Sequence, residues 1–359
     1  MSERVYVNRS VAITFSQNAA PALSWMHLIR WVEIGNELRK HGVAVHLVTD
    51  RRPVRSLQGL PLLDAAEVDW GRYDVIKTCF PRSIDLVPEH PCIFARMGRP
   101  ADDDDSPFVG SPSAHVIRQQ RRIRDSARYV VFHNPRHGER WRRIYGDRPE
   151  QLLVPTGCPE TIPPPIKDPY PPGRRVALFC GSLTTPHMVN LLNQIAERLH
   201  RSREGVAVHL LGRNLIHRPG SSELGLEKDL IHTHPPTSET EAWQYLLHAD
   251  VGLALAHSNE ARESEQAKIY YYLRAGLPVV TESTIPTRHL VEESGHGRIV
   301  PPNNPEAFAE GVLSALSIPP RQPTVMRQMA DLHGWHRRTA VYLRAINQLT
   351  PQEESNPLR

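Results

Sequence analysis

The chain has 359 residues, 40% of them hydrophobic and 23% charged, with a formal net charge of +4. That length has room for two cores, and no apolar run approaches the ~20 residues that a membrane-spanning helix needs. The four cysteines, Cys79, Cys92, Cys158 and Cys180, lack CxxC spacing, which argues against a zinc ribbon and a disulfide framework. The N-terminus, MSERVYVNRSVAITF, shows no sustained apolar segment before a small-residue cleavage site, so a cytoplasmic location is expected.

Val11 to Phe15 reads as an apolar strand, followed by a loop, Gln17 to Ser24, that contains Pro21. From Met26 to Lys40 the pattern is helical, with Ile29, Val32 and Leu38 on one stripe and Gly42 as the stop. Val43 to Thr49 is rich in β-branched residues, as a buried parallel strand is. Short strands at Val75 to Thr78, Cys92 to Ala95 and Tyr129 to Phe132 repeat this βαβ rhythm. Between Arg118 and Arg148 lie ten arginines against Asp125, Glu139 and Asp147. Such a run is a solvated helix face or a peripheral contact with anionic lipid headgroups or a phosphate-bearing acceptor. No aromatic and basic stacking motif accompanies it, so nucleic acid is not an expected partner.

Eight prolines between Pro155 and Pro172 forbid a helix or a central strand there and mark an extended linker. A second alternating series follows: strands at Val176–Cys180, Val206–Leu211, Val251–Ala256 and Pro278–Thr281, and helices at Met188–His200, Glu241–His248, Gln266–Ala275 and Pro305–Leu316. The expected organisation is therefore α/β: an N-terminal Rossmann-like domain (1–160), a Pro-rich linker (161–174), a C-terminal Rossmann-like domain (175–325), a helical segment packing back on the first domain (326–349) and a disordered tail (350–359).

The connection from Ala256 to Glu265 leaves a parallel strand and enters a helix. Free backbone N–H groups and the positive end of a helix dipole converge outside such a strand end, which suits a diphosphate. Lys268, near the start of that helix, is placed to neutralise phosphate charge, and the Glu263 carboxylate can accept hydrogen bonds from two hydroxyls.

The segment ESEQAKIYYYLRAGLPVV, Glu263 to Val280, resembles the donor-site signature of the retaining GT-B glycosyltransferases related to glycogen and sucrose synthases. Ala275-Gly276-Leu277-Pro278-Val279-Val280 matches its ending, Glu263 falls on the first of two glutamates, and Tyr271 replaces the second. LLVPTGCPE (Leu152 to Glu160) looks like the family's turn before the linker, with Thr156 where asparagine is usual. The resemblance implies two Rossmann-like domains across a cleft and transfer of a sugar from a UDP- or GDP-sugar to a glycan, lipid-linked or small-molecule acceptor, with retention and without a bound cofactor or metal. It assigns catalysis to Glu263 and Lys268, and donor binding to Gly181, Arg213, Asn214, His234, Tyr271 and Glu282. Asn18, Arg96 and Asp102 are its acceptor-side candidates.

Two departures stand out. The family's glycine-arginine clamp, with a lysine some six residues on, is here Gly181-Ser182 with His187 near the lysine position, and its acceptor-side histidine falls near Arg96. An inverting transferase resembling glucuronosyltransferases, with a base among Asp102 to Asp105 or at Asp74, and a GT-B-fold scaffold without catalysis are the competing readings. Asp102 to Asp105 read as a solvated loop, and His232-Thr233-His234 as a turn near the nucleotide base, more than as metal ligands.

Overall fold

A computed structural model describes residues 9–16, 25–50, 55–101, 114–216, 225–257 and 265–349. The first part runs β1 (Ser10–Phe15), α1 (Trp25–Lys40), β2 (Ala44–Thr49), β3 (Ser56–Leu57), β4 (Leu60–Asp64), β5 (Val75–Thr78), β6 (Ile93–Arg96), α2 (Ala114–Ser126), β7 (Tyr129–Phe132), α3 (Pro135–Tyr145) and β8 (Glu150–Leu153). Its strands form one sheet in the order β3-β4-β2-β1-β5-β6-β7-β8, parallel except for the β3–β4 pair. The second part runs β9 (Arg175–Cys180), α4 (Pro186–Ser202), β10 (Val206–Leu211), β11 (Ile231–His234), α5 (Glu239–His248), β12 (Val251–Ala254), α6 (Ala267–Arg274), β13 (Val279–Glu282), α7 (His289–Ser294), β14 (Gly297–Val300) and α8 (Pro305–Ala315). This sheet is wholly parallel, in the order β11-β10-β9-β12-β13-β14. Two helices, α9 (Pro323–His333) and α10 (Trp335–Asn347), close the described chain. The tail 350–359 lies outside the described residues.

The architecture follows from burial. Strands such as VALFC and VAVHLL are apolar on both faces because helices cover both, the condition under which parallel sheets are found. Side chains of β1, β2 and β5 pack on one face against Trp31, Val32 and Leu38 of α1 and Tyr342, Leu343 and Ile346 of α10. Thus the last helix crosses back to the first sheet. The residues between β8 and β9 hold no helix or strand, as their prolines dictate. The sequence reading took His232–His234 as a turn, but these residues are in β11, pairing in parallel register with β10. Their polar side chains sit at a sheet edge, where one face need not be buried.

The expected basic face is divided between α2 and α3. Part of its charge is matched, by Arg122–Asp85, Arg124–Asp125, Arg128–Glu150 and Arg142–Asp147 ion pairs. Among the described residues no helix is long and apolar enough to cross a membrane.

Glu33, Glu37, Glu160 and Glu239 converge on a small cavity of about 210 Å³ that Trp243 and Trp335 also line. Burial, reinforced by Glu239 and Glu37, pushes the Glu33 carboxyl up to about 7. A carboxyl whose folded pKa is raised destabilises the fold increasingly as pH climbs from its unfolded value through the folded one. Glu33→Gln should therefore flatten the decline in melting temperature between about pH 5 and 8 and melt above the parent at the upper end. Identical pH profiles for the two proteins would contradict this account of the Glu33 carboxyl.

Candidate active site

In the second sheet the chain moves outward from β9 to β10 and β11, then returns to the other side of β9 for β12, β13 and β14. The strand order thus reverses between β9 and β12, and ligands of open α/β sheets bind outside the carboxyl ends at such a reversal. Gly181 ends β9 there with φ +134, a backbone that L side chains rarely adopt. Gly212 ends β10 at φ +147, and a Cβ on it would fall 2.1 Å from the Gly181 carbonyl oxygen. The two glycines keep this floor as bare backbone.

Lys268 lies over that floor. A Cβ on Gly181 would sit 3.6 Å from its Nζ, which is 4.2 Å from the Phe179 ring centroid and donates to Gln266 Oε1 at 3.0 Å. No carboxylate pairs with it among the described residues. Burial brings its pKa down to about 8. A lysine in the first turn of α6 opposes the helix dipole and gains nothing for folding by being there. On the facing side, Thr185 caps α4 by accepting from Met188 N at 3.3 Å, and its hydroxyl donates to the His257 carbonyl at 2.6 Å. Thr184 Oγ1 meets His257 Nδ1 at 2.9 Å. The ends of β9 and β12 are tied together by these bonds, with the N-terminus of the long helix α4 beside them.

The remaining donor-side expectations fare unevenly. Glu282 is 1% exposed, with Oε2 accepting from Ala256 N at 2.5 Å and Oε1 from Asn303 N at 2.8 Å. It fixes the exit of β12, the start of the connection carrying Glu263, and offers no free oxygen to a sugar. Tyr271, expected at a ribose, is instead a core side chain, 3% exposed and 5.5 Å from the Trp243 ring. The space it shares with Cys180, Trp243 and Lys268 is about 20 Å³, too small for a ribose. The three consecutive tyrosines diverge: Tyr270 donates to Glu265, while Tyr272 donates to the carbonyls of Leu178 and Leu253 and accepts from Cys180 N. His234 is engaged by His209, Nδ1 to Nε2 at 2.8 Å with rings stacked at 9°, and burial holds His209 down at about 3. Arg213 is exposed at the mouth after β10, its carbonyl accepting from Leu183 N, and Asn214 accepts from Ile216 N at 3.0 Å to shape that turn.

Across the cleft, Arg96 ends β6, half-buried, with Nη1 donating to the Cys79 carbonyl at 3.4 Å. Glu263, Asn18 and Asp102 lie outside the described residues. A cavity of about 780 Å³ separates the two sheets and is lined by His133, Arg136, Glu265, Arg288 and Arg338, among others. Glu265 lines it and links the two halves of the chain: it accepts from Thr156 N at 3.2 Å, Thr156 Oγ1 at 2.7 Å and Tyr270 Oη at 2.9 Å. Sequence reasoning placed Glu265 only at the end of the connection from Ala256. The one signal of its role was Thr156, a hydroxyl where the family has an amide, 109 positions away. Among the described residues no three His, Cys, Asp or Glu side chains are arranged to hold a metal ion.

Residues 174–317, which make up most of the second α/β half, match the family model described as Glycosyl transferases group 1. No curated protein matches the sequence at a significant level. Solved structures resemble the whole chain at low identity. Sucrose-phosphate synthase from Thermosynechococcus elongatus is 14% identical with a TM-score of 0.68, covering 95% of this chain and 99% of its own. HepE from Anabaena, solved with UDP and glucose, is 14% identical with a TM-score of 0.64, over 95% and 100%. WaaG, a glycosyltransferase involved in lipopolysaccharide biosynthesis, is 15% identical with a TM-score of 0.57, over 93% and 95%. These likenesses establish the two-domain GT-B fold.

Proposed function

We propose that this chain transfers a glycosyl group from a nucleoside diphosphate sugar to an acceptor hydroxyl, the donor lying on the second domain at the strand-order reversal. The observation that carries this reading is Lys268: a half-buried ammonium with no carboxylate partner among the described residues, over the bare backbone of Gly181. In the reaction the sugar C1–O bond to the diphosphate breaks and its electron pair stays on the diphosphate oxygen. Lys268 and the N-terminus of α4 meet that growing negative charge. The acceptor oxygen bonds to C1, and in a retaining, same-face transfer its proton passes to the departing diphosphate oxygen. Glu263 holds donor-sugar hydroxyls, and Glu282 positions the strand exit that leads to it.

UDP-sugars are the first donors to try, since HepE and a trehalose-6-phosphate protein from E. coli, the latter 9% identical, were solved with UDP-linked compounds. Retention rests on the placement of Glu263 by resemblance. The test is incubation with UDP- and GDP-sugars and an acceptor panel, reading nucleoside diphosphate release and the anomeric configuration of the product. An α-linked product from an α-linked donor supports the reading. A β-linked product would replace it with inversion, and donor binding without turnover across the panel would point to a scaffold. Glu263→Ala should reduce turnover far more than it lowers melting temperature, and equal loss of both would remove the residue from the site.

A further inference from the structure

Three cations crowd one indole on the wall of the first domain. The Lys77 Nζ is 3.5 Å from the Trp31 ring centroid, the Arg96 guanidinium carbon 5.2 Å and that of Arg30 5.5 Å. They come from β5, β6 and α1, respectively. No carboxylate forms an ion pair with any of the three among the described residues. Their polar contacts are to backbone oxygens: Arg30 Nη2 to Val154 at 2.5 Å, Arg96 Nη1 to Cys79 at 3.4 Å and Lys77 Nζ to Thr78 at 3.4 Å. Arg30 Nε is buried without a partner, and Lys77 is only 1% exposed. Arg30 and Arg96 keep part of their surface open.

Removing a charge from water without a counter-charge costs several kcal/mol, so a fold that gathers two unpaired guanidiniums around a buried lysine has a use for an anion there. Burial, with Arg96 and Arg30 adding to it, pulls the Lys77 ammonium well below its ordinary range, and Arg96 is brought down to about 10. A carboxylate would offset one charge. A phosphate monoester, carrying about two, matches both guanidiniums and favours reprotonation of the lysine behind them.

We infer that Arg96 and Arg30, backed by Lys77, form a subsite for a phosphate group borne by the acceptor. This rests on the glycosyl-transfer reading for the word acceptor, but phosphate binding itself does not. The cluster is on the first domain, whereas the donor lies at β9 and β12 of the second, so a nucleotide seated at Lys268 leaves the arginine pair for another ligand.

The test uses the full chain and two probes at constant ionic strength, inorganic phosphate and UDP, each followed by thermal unfolding in the parent, Arg96→Gln, Arg30→Gln, Arg96→Lys and Lys268→Met. Phosphate is expected to stabilise the parent relative to chloride, with an apparent affinity about tenfold weaker in either Gln variant, partly restored in Arg96→Lys and retained in Lys268→Met; the tenfold corresponds to ~1.4 kcal/mol. No phosphate response in the parent, the same response in the Gln variants, or its loss in Lys268→Met would overturn the subsite. Failure of UDP to stabilise any of the proteins would instead strike the donor reading and leave the phosphate result standing. Vesicles of phosphatidylcholine with and without phosphatidic acid separate the sources. Arg96-dependent binding to the anionic vesicles assigns a lipid phosphate, and its absence beside an Arg96-dependent phosphate response assigns a soluble one.

Discussion

Lys268→Met is expected to lower kcat by about 10²- to 10³-fold, the range seen when a group aimed at developing transition-state charge is removed. Its melting temperature should stay near the parent value or rise, because methionine keeps the aliphatic reach over Phe179 and removes a half-buried charge that has no carboxylate partner among the described residues. The pH dependence sharpens the test. With the free-enzyme ammonium held at about 8 by burial, the charged form is present below that value and lost above it. Plots of kcat/KM against pH should therefore fall above about pH 8 in the parent. In Lys268→Arg, which stays charged, that descending limb should move up beyond the accessible range. A parent profile flat to pH 10, roughly two units above the expected limb, would remove Lys268 from the chemistry.

Trp335→Ala should cost about 3–5 kcal/mol, the usual consequence of deleting a buried indole. Trp335 is 1% exposed at the start of α10, and a Cβ placed on Gly157 would fall 2.6 Å from its ring. Beside it Cys158 N donates to the His333 carbonyl and Trp335 N to the Cys158 carbonyl. The segment after β8 is thereby locked to the corner between α9 and α10, and α10 in turn covers the first sheet. Urea unfolding should show the stability loss directly. A loss below 1 kcal/mol, roughly what a surface substitution gives, would mean that this corner is not the brace between the halves.

How much was legible in the sequence depends on the range of the interaction. Runs such as VALFC, VAVHLL and VGLALA identify themselves because doubly covered strands must be apolar throughout, and the prolines after Val154 announce the linker by what they cannot do. The ending Ala275 to Val280 is recognisable because Gly276, at φ +67, sits 2.7 Å from the Arg321 Cα at the position a Cβ would take. The edge strand β11 was misread because its IHTH sequence is polar and followed by two prolines. Tyr271 was misplaced because a helix pattern says which residues share a face but not that Trp243, from another helix, fills the space in front of it. Lys77 gave no signal at all: a single lysine in VIKT reads as a residue at a strand end, and only the packing of α1 and α10 reveals that it is enclosed. The Glu265–Thr156 clamp joins the two halves of the chain, and no local pattern encodes it.

Thermal unfolding of the parent and Lys268→Met with UDP, GDP, ADP and their sugars tests the central claim most directly, since a ligand that binds the native state alone stabilises it by RT ln(1 + [L]/Kd), about 2.7 kcal/mol at one hundred times Kd. The account predicts that one nucleotide and its sugar selectively raise the parent's melting temperature, and that the shift shrinks or vanishes in Lys268→Met. No shift with any member for the folded parent, or equal shifts in the two proteins, would contradict a nucleotide-sugar site at the strand-order reversal.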